Sequence, residues 1–254
     1  MTVERRDVVL AIDTATRHAA VAAGTCAGEP IAERSWECGF RHGQEVLATL
    51  DRLLVESGVD LGRVAALVVG TGPGAFTGLR VGIATAKALA HGLGCPIVGI
   101  PSTLALADAA WRLEAGGAAA PVGEMTVVMP AGPHDRYVAR YRWRQAGGEP
   151  GGGEPEGAGG PRLIAETDVP GVVAAAGGRL VAVDLAVGGS IEARSVEIGR
   201  CAQDGLGAAL LRLGCWRIAR GDIDDLAGLV PAYVTLPRGI AEESGEIAWS
   251  SDRR

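Results

Sequence analysis

Gly70-Thr71-Gly72-Pro73-Gly74-Ala75-Phe76-Thr77-Gly78-Leu79-Arg80 follows a short apolar run, Val64–Val69, and leads into an alanine-rich stretch that ends near Leu93. A strand, a glycine turn and a helix N-terminus in that order form the usual anion cradle, so phosphate binding by Gly72 and Gly74 has to be weighed. The spacing speaks against the common cradles. A P-loop needs G-x-x-x-x-G-K-[ST], and here neither the second glycine nor the lysine is in register; the dinucleotide fingerprint G-x-G-x-x-G fails at its third glycine. The competing reading, a structural turn with Thr77 as N-cap, fits the residues better.

The helix predicted from Thr77 to Leu93 carries more information. Gly78, Gly82, Ala86 and Ala90 recur every four residues as a flat ridge, with Leu79, Ile83, Leu89 and Leu93 on the same side. Val81, Ala84, Thr85 and Ala88 cover much of the rest, which leaves only Arg80, Lys87 and His91 as a polar wedge. A helix apolar over most of its circumference must be covered on both sides. Its own sheet can cover one side; the other asks for a second helix, from this chain or from a partner.

Outward from this segment, Val8–Ile12 and Ala19–Ala23 read as a hairpin, and Ile31–Trp36 as a third strand. Gln44–Ser57 changes period: Val46, Leu47, Leu50, Leu53 and Leu54 share one helical face, with Glu45, Asp51, Arg52 and Glu56 opposite. With a strand at Pro96–Ile100, the order βββαβαβ fits one α/β lobe over residues 1–103. A second α/β lobe is expected over 104–237. Its helices are placed through about Leu113, near Val172–Ala176 and over Val196–Leu213, and its strands at Met125–Met129, Tyr137–Trp143, Leu163–Glu166 and Leu180–Val183. Gln145–Pro161 holds eight Gly, three Pro and three Glu, which predicts a disordered hairpin tip. Residues 238–254 are expected to form a flexible tail.

The composition narrows the class. The chain has 254 residues, of which 48% are apolar but only 4% aromatic, with 39 Gly, so close backbone approach is expected. A net charge of −6 without a basic block argues against direct grip on nucleic acid. Five cysteines without C-x-x-C spacing, and no secretory leader, suit a reduced, cytoplasmic protein. The longest uncharged stretch, Val64–Leu79, is too short and too glycine-broken for a membrane span. His18, His42, His91 and His134 are each isolated, so no sequence-local metal site is expected. There is no G-x-S-x-G and no activated cysteine, which makes a catalytic role for the chain alone unexpected.

Several of these residues resemble a known family. Val8–Thr14 (VVLAIDT), Arg41-His42-Gly43-Gln44 before a leucine-rich helix, GTGPGAFTGLR with the following VGIATAKALA, and Ile97–Thr103 (IVGIPST) are similar to TsaB, also called YeaZ. That family is the bacterial dimerisation subunit of the tRNA threonylcarbamoyladenosine machinery. The resemblance runs over roughly residues 7–110 and weakens beyond. It implies a two-lobe, actin-like and Hsp70-like ATPase (ASKHA) fold, and a subunit that pairs with the catalytic paralog TsaD, joined by the ATPase TsaE, or with a second copy when TsaD is absent. On that reading His42, Val46, Leu50, Leu53, Gly78, Leu79, Gly82, Ile83, Ala86 and Ala90 form the partner interface. No cofactor is expected to bind tightly, although ATP or ADP with Mg could sit at the junction of the complex.

The resemblance also marks departures and alternatives. Family members carry Asp-Ala-Arg where this chain has Pro130-Ala131-Gly132, and Pro-x-Tyr-Leu-Arg where it has Pro231-Ala232-Tyr233-Val234-Thr235. Asp13 and Thr14 stand at the turn where actin-like ATPases bring a carboxylate to a hydrated metal on the phosphates; a simple Asx turn is the plainer reading of Asp13. His42 either touches a partner or starts an exposed helix, Arg80 reads as solvated, and Asp184 as a loop start. Two other classes stay open at this point: an ATP-dependent enzyme using Asp13 and the glycine turn, and a glycoprotease-type peptidase.

Overall fold

The computed structural model describes residues 6–38, 42–114, 123–143, 156–157, 160–177 and 179–234. Its first sheet has the order β3-β2-β1-β4-β5. Strands β1 (Val8–Asp13), β2 (His18–Thr25) and β3 (Pro30–Glu37) form an antiparallel meander, while β4 (Val64–Gly70) and β5 (Ile97–Ile100) join in parallel. Every residue of β1 is buried, because parallel pairing to β4 places helices over both faces.

Helices α1 (His42–Ser57) and α2 (Phe76–Leu93) cover one face of this sheet. Val46, Leu50, Leu53 and Leu54 of α1 and Ile83, Ala86 and Ala90 of α2 share a core cluster with Leu10, Ile12, Leu67 and Val69 of the strands. Each fully buried leucine or isoleucine there contributes about 1.5–3 kcal/mol relative to exposure.

The second sheet has the order β10-β6-β7-β8, with β9 also pairing to β7. It is built from β6 (Gly123–Pro130), β7 (Asp135–Trp143), β8 (Glu156–Gly157), β9 (Arg162–Ala165) and β10 (Leu180–Ala182). Alternation along β7 is clear. Tyr137, Ala139, Tyr141 and Trp143 point into the main core, and Val138 to the opposite face. That main core holds α3 (Ser102–Glu114), α5 (Ala193–Asp204) and α6 (Leu206–Ala219) between the sheets, and α4 (Val169–Ala175) closes the far face of the second sheet.

Several expectations are corrected. The helix expected over Val196–Leu213 is two helices that turn at Gly205. Of these, α6 packs against all five strands of the first sheet, although chain order groups it with the second. Asp108 on α3, 3% exposed, ties α3 to α6 through its ion pair with Arg212 and also pairs with Arg112 on its own helix. Within the expected disordered tip, Glu156–Gly157 pairs with Tyr141–Arg142 of β7; residues 145–155 and 158–159 lie outside the described residues, as does the tail from 235. The N-cap of α2 is Ala75, without a side-chain bond, and Thr77 sits inside the first turn.

Candidate functional site

The glycine loop docks directly on the β1–β2 turn. Asp13, fully buried, accepts from the Ala15 amide at 2.7 Å and from Ser102 Oγ at 2.5 Å. Ser102 opens α3, so this bond ties the turn to the third helix. Its Oγ also accepts from the Gly72 amide at 3.1 Å, and its own amide donates to the Gly72 carbonyl at 2.8 Å. Thr14 Oγ1 donates to the Gly78 carbonyl at 2.7 Å, and Ala75 N–H donates to the Ala15 carbonyl at 2.8 Å. A Cβ on Gly74 would overlap that same carbonyl, and one on Gly82 would overlap Thr14 Oγ1. Glycine is needed at both because the backbones meet there.

The four residues expected at a nucleotide, Asp13, Thr14, Gly72 and Gly74, are therefore brought together, but they bond to one another and to Ala15, Ser102 and Gly78. A phosphate cradle needs amides turned toward open space; here the Ala75 amide at the helix start is given to Ala15. The residues present do not fit the phosphates of a nucleotide. Beside Ser102, Thr103 Oγ1 and Tyr141 OH lie 2.7 Å apart, and burial pushes the tyrosine up to about 12 against the opposing pull of that bond. No three His, Cys, Asp or Glu side chains converge as metal ligands among the described residues.

The same turn is fastened to the second sheet. Asp184, with φ 53°, accepts from the Arg17 amide at 2.9 Å and from Gln203 Nε2 at 3.0 Å; Gln203 also donates to Thr16 Oγ1 at 3.2 Å. A residue read as a loop start is thus a clasp between the sheets.

The polar wedge of α2 is likewise engaged. Residues 222–234 run along β5, where the Gly99 amide donates to Asp224 Oδ2 at 2.7 Å, and on to the glycine loop, where Ala232 N–H donates to the Thr71 carbonyl at 2.8 Å. Lys87 Nζ donates to the Ala227 and Leu229 carbonyls at 3.0 and 3.2 Å. Arg80 donates to Tyr233 OH at 3.1 Å with its guanidinium 3.8 Å from the Phe76 ring centre, and Phe76 and Tyr233 lie 5.4 Å apart. Arg80 is exposed, as expected of a solvated side chain, and it also anchors a strap. Nothing in the local spacing of α2 signals this, because the partners lie some 140–150 residues away.

The expected partner interface requires a correction. Val46, Leu50, Leu53, Leu79, Ile83, Ala86 and Ala90 are each at most 4% exposed, and Gly78 and Gly82 are buried with them. The ridge faces the chain's own sheet, because glycine at 82 lets the helix approach Thr14. His42 begins α1, and its side chain lies outside the described residues. The outer face is formed instead by Leu47 and Val55, 54% and 74% exposed, with Ala48 and Asp51 on α1 and the exposed Ala84 and Ala88 beside half-buried Val81 and Thr85 on α2. Those alanines were legible as the second apolar side of α2, but the glycine ridge drew the assignment. Among the described residues no helix is long and apolar enough to cross a membrane.

Comparison with known proteins places this arrangement. A family model for TsaD, tRNA N6-adenosine threonylcarbamoyltransferase, matches residues 37–150. The tRNA threonylcarbamoyladenosine biosynthesis protein TsaB of Escherichia coli is 38% identical over 105 residues, 41% of this chain and 44% of that protein. An uncharacterised protein of Mycobacterium leprae is 40% identical over 140 residues, 53% of this chain and 35% of that protein. The chain thus spans less than half the length of these curated relatives. The solved structure of YeaZ from Pseudomonas aeruginosa superposes with a TM-score of 0.64 at 25% identity, covering 89% of this chain and 99% of that one. The fold is therefore the two-lobe, actin-like α/β fold.

Proposed function

From the similarity of this chain to TsaB and YeaZ proteins, we propose that it is a member of that family and a non-catalytic partner subunit in tRNA threonylcarbamoyladenosine modification. It binds TsaD through the outer face of α1 and α2 and holds TsaD in its active form, in the cytoplasm, with TsaE joining the pair. The observation that carries this reading is the apolar outer face itself, Leu47 and Val55 beside Ala84 and Ala88, on helices whose inner faces are already filled by the chain's own core. Exposed leucine and valine flanked by small residues suit close helix–helix packing with another subunit.

The TsaD family model covers both helices, which supports a pairing of like with like: two related lobes meeting through equivalent faces, as in an isologous dimer. The same geometry allows two copies of this chain to pair when TsaD is absent. The closed junction at Asp13, Ala15 and Gly74 favours a subunit without a nucleotide of its own over an ATP-dependent enzyme. Size-exclusion of the chain with and without its cognate TsaD tests the proposal. A stoichiometric shift to one complex is expected, and separate elution at micromolar concentration would refute it.

A further inference from the structure

A cavity of about 500 Å³ lies beneath α4, on the face of the second sheet turned away from the main core. It is at the opposite end of the layered structure from α1 and α2, and the proposed function makes no use of it. Thr126, Arg140 and Arg162 line it from three neighbouring strands. Register places them together. Thr126 of β6 is opposite Arg140 of β7, and Arg162 of β9 is opposite Val138, the next residue of β7 on that face. Arg140 and Arg162 are thus diagonal neighbours on one surface, close enough for long side chains to meet on a shared ligand.

The floor holds an unanswered donor. Thr126 is 1% exposed, and its Oγ1 has no hydrogen-bond partner. Buried hydroxyls are normally satisfied, so one left open at the base of a cavity points to a ligand. The charge is also unbalanced. Arg140 gives Nη2 to the Ala175 carbonyl at 2.8 Å and stands 4.0 Å from Glu124, which is itself bonded to Arg142. Arg162 makes no hydrogen bond or ion pair with the described residues, and Asp168 is the one acid among the lining residues. Val138, Val172 and Ala175 supply apolar wall.

We infer that this cavity binds a phosphate monoester of a small organic molecule, its phosphate between the Arg140 and Arg162 guanidiniums and Thr126 Oγ1, its organic part against Val138, Val172 and Ala175. Planar guanidinium forks match phosphate oxygens two at a time, and the volume suits a small metabolite rather than the bare ion.

Calorimetric titration of the full chain with inorganic phosphate and with glycerol 3-phosphate tests this, with citrate as the carboxylate contrast. Saturable binding is expected, tighter for the ester. Arg162→Gln, on an exposed side chain, should weaken it about 10- to 100-fold with an unchanged circular-dichroism spectrum. Thr126→Val should weaken it about 2- to 10-fold while leaving the melting temperature of the ligand-free protein equal or higher, because it removes an unsatisfied buried hydroxyl. Failure to saturate below about 10 mM phosphate or ester, affinity unchanged in Arg162→Gln, or binding of citrate alone would each overturn the assignment.

Discussion

The amide of Ala75 donates to the carbonyl of Ala15 at 2.8 Å, joining the first residue before α2 to the turn after β1. The chain closes the space between this turn and the glycine loop with its own backbone. Three consequences can be measured.

Gly74→Ala places a Cβ against the Ala15 carbonyl, and backbone on both sides has no room to yield. The loop must lift from the turn, at a cost of about 1–3 kcal/mol. Urea unfolding should show a lower midpoint with an unchanged slope. Gly82→Arg should likewise lower the midpoint, since position 82 packs against Thr14.

Ser102→Ala removes the hydroxyl that donates to Asp13 and accepts from Gly72. A buried carboxylate and a loop amide each lose a partner, so a loss of about 2–4 kcal/mol is expected from the two bonds together. Thermal melting measures it, and Ser102→Thr, which keeps the hydroxyl, should recover part of the loss.

Mg-ATP should give no saturable heat with the isolated chain, because Asp13, Gly72 and Ala75 are already bonded within the junction. Isothermal titration checks this; binding accompanied by hydrolysis would restore the enzyme reading.

Stability should fall on the alkaline side. Burial pushes the Cys215 thiol from 9.0 up to about 12 and the Tyr141 hydroxyl from 10.0 up to about 12. The folded chain keeps both protons where the unfolded chain releases them. The contribution is therefore complete below about pH 9 and is lost as pH rises from there towards 12. Melting temperatures across pH 8–11 should decline, and Cys215→Ser with Tyr141→Phe should flatten the decline. At pH 8 a thiol reagent should modify exposed Cys26 well before Cys215.

Much of the fold was legible because period and composition agree. Val8–Ile12 and Val64–Val69 have the continuous apolar content of strands buried on both faces, and Leu50 and Leu53 fall on one helical stripe. What sequence could not tell was direction. Both sides of α2 are apolar and small, and period alone does not say which meets the sheet; Gly82 against Thr14 decides it in three dimensions. Long-range placement was equally hidden. The largely apolar run of residues 206–219 does not say which sheet α6 joins, and the contacts of Arg80 and Lys87 were hidden because Tyr233 and Leu229 are remote in the chain. Asp13 and Thr14 were grouped with Gly72 and Gly74 as residues for a nucleotide, and no local pattern announced that they bond instead to Ala15, Ser102 and Gly78.

The most direct test of the central claim is the affinity of the chain for its cognate TsaD, measured for wild type, Ala84→Arg and Val55→Glu. Both positions are exposed, so the variants should keep the wild-type melting temperature. A charge set into a packed helical interface without a partner costs about 3–5 kcal/mol, or at least a hundredfold in affinity. A stoichiometric complex is expected with wild type and its loss in both variants; complexes that persist at wild-type affinity would contradict the proposed interface.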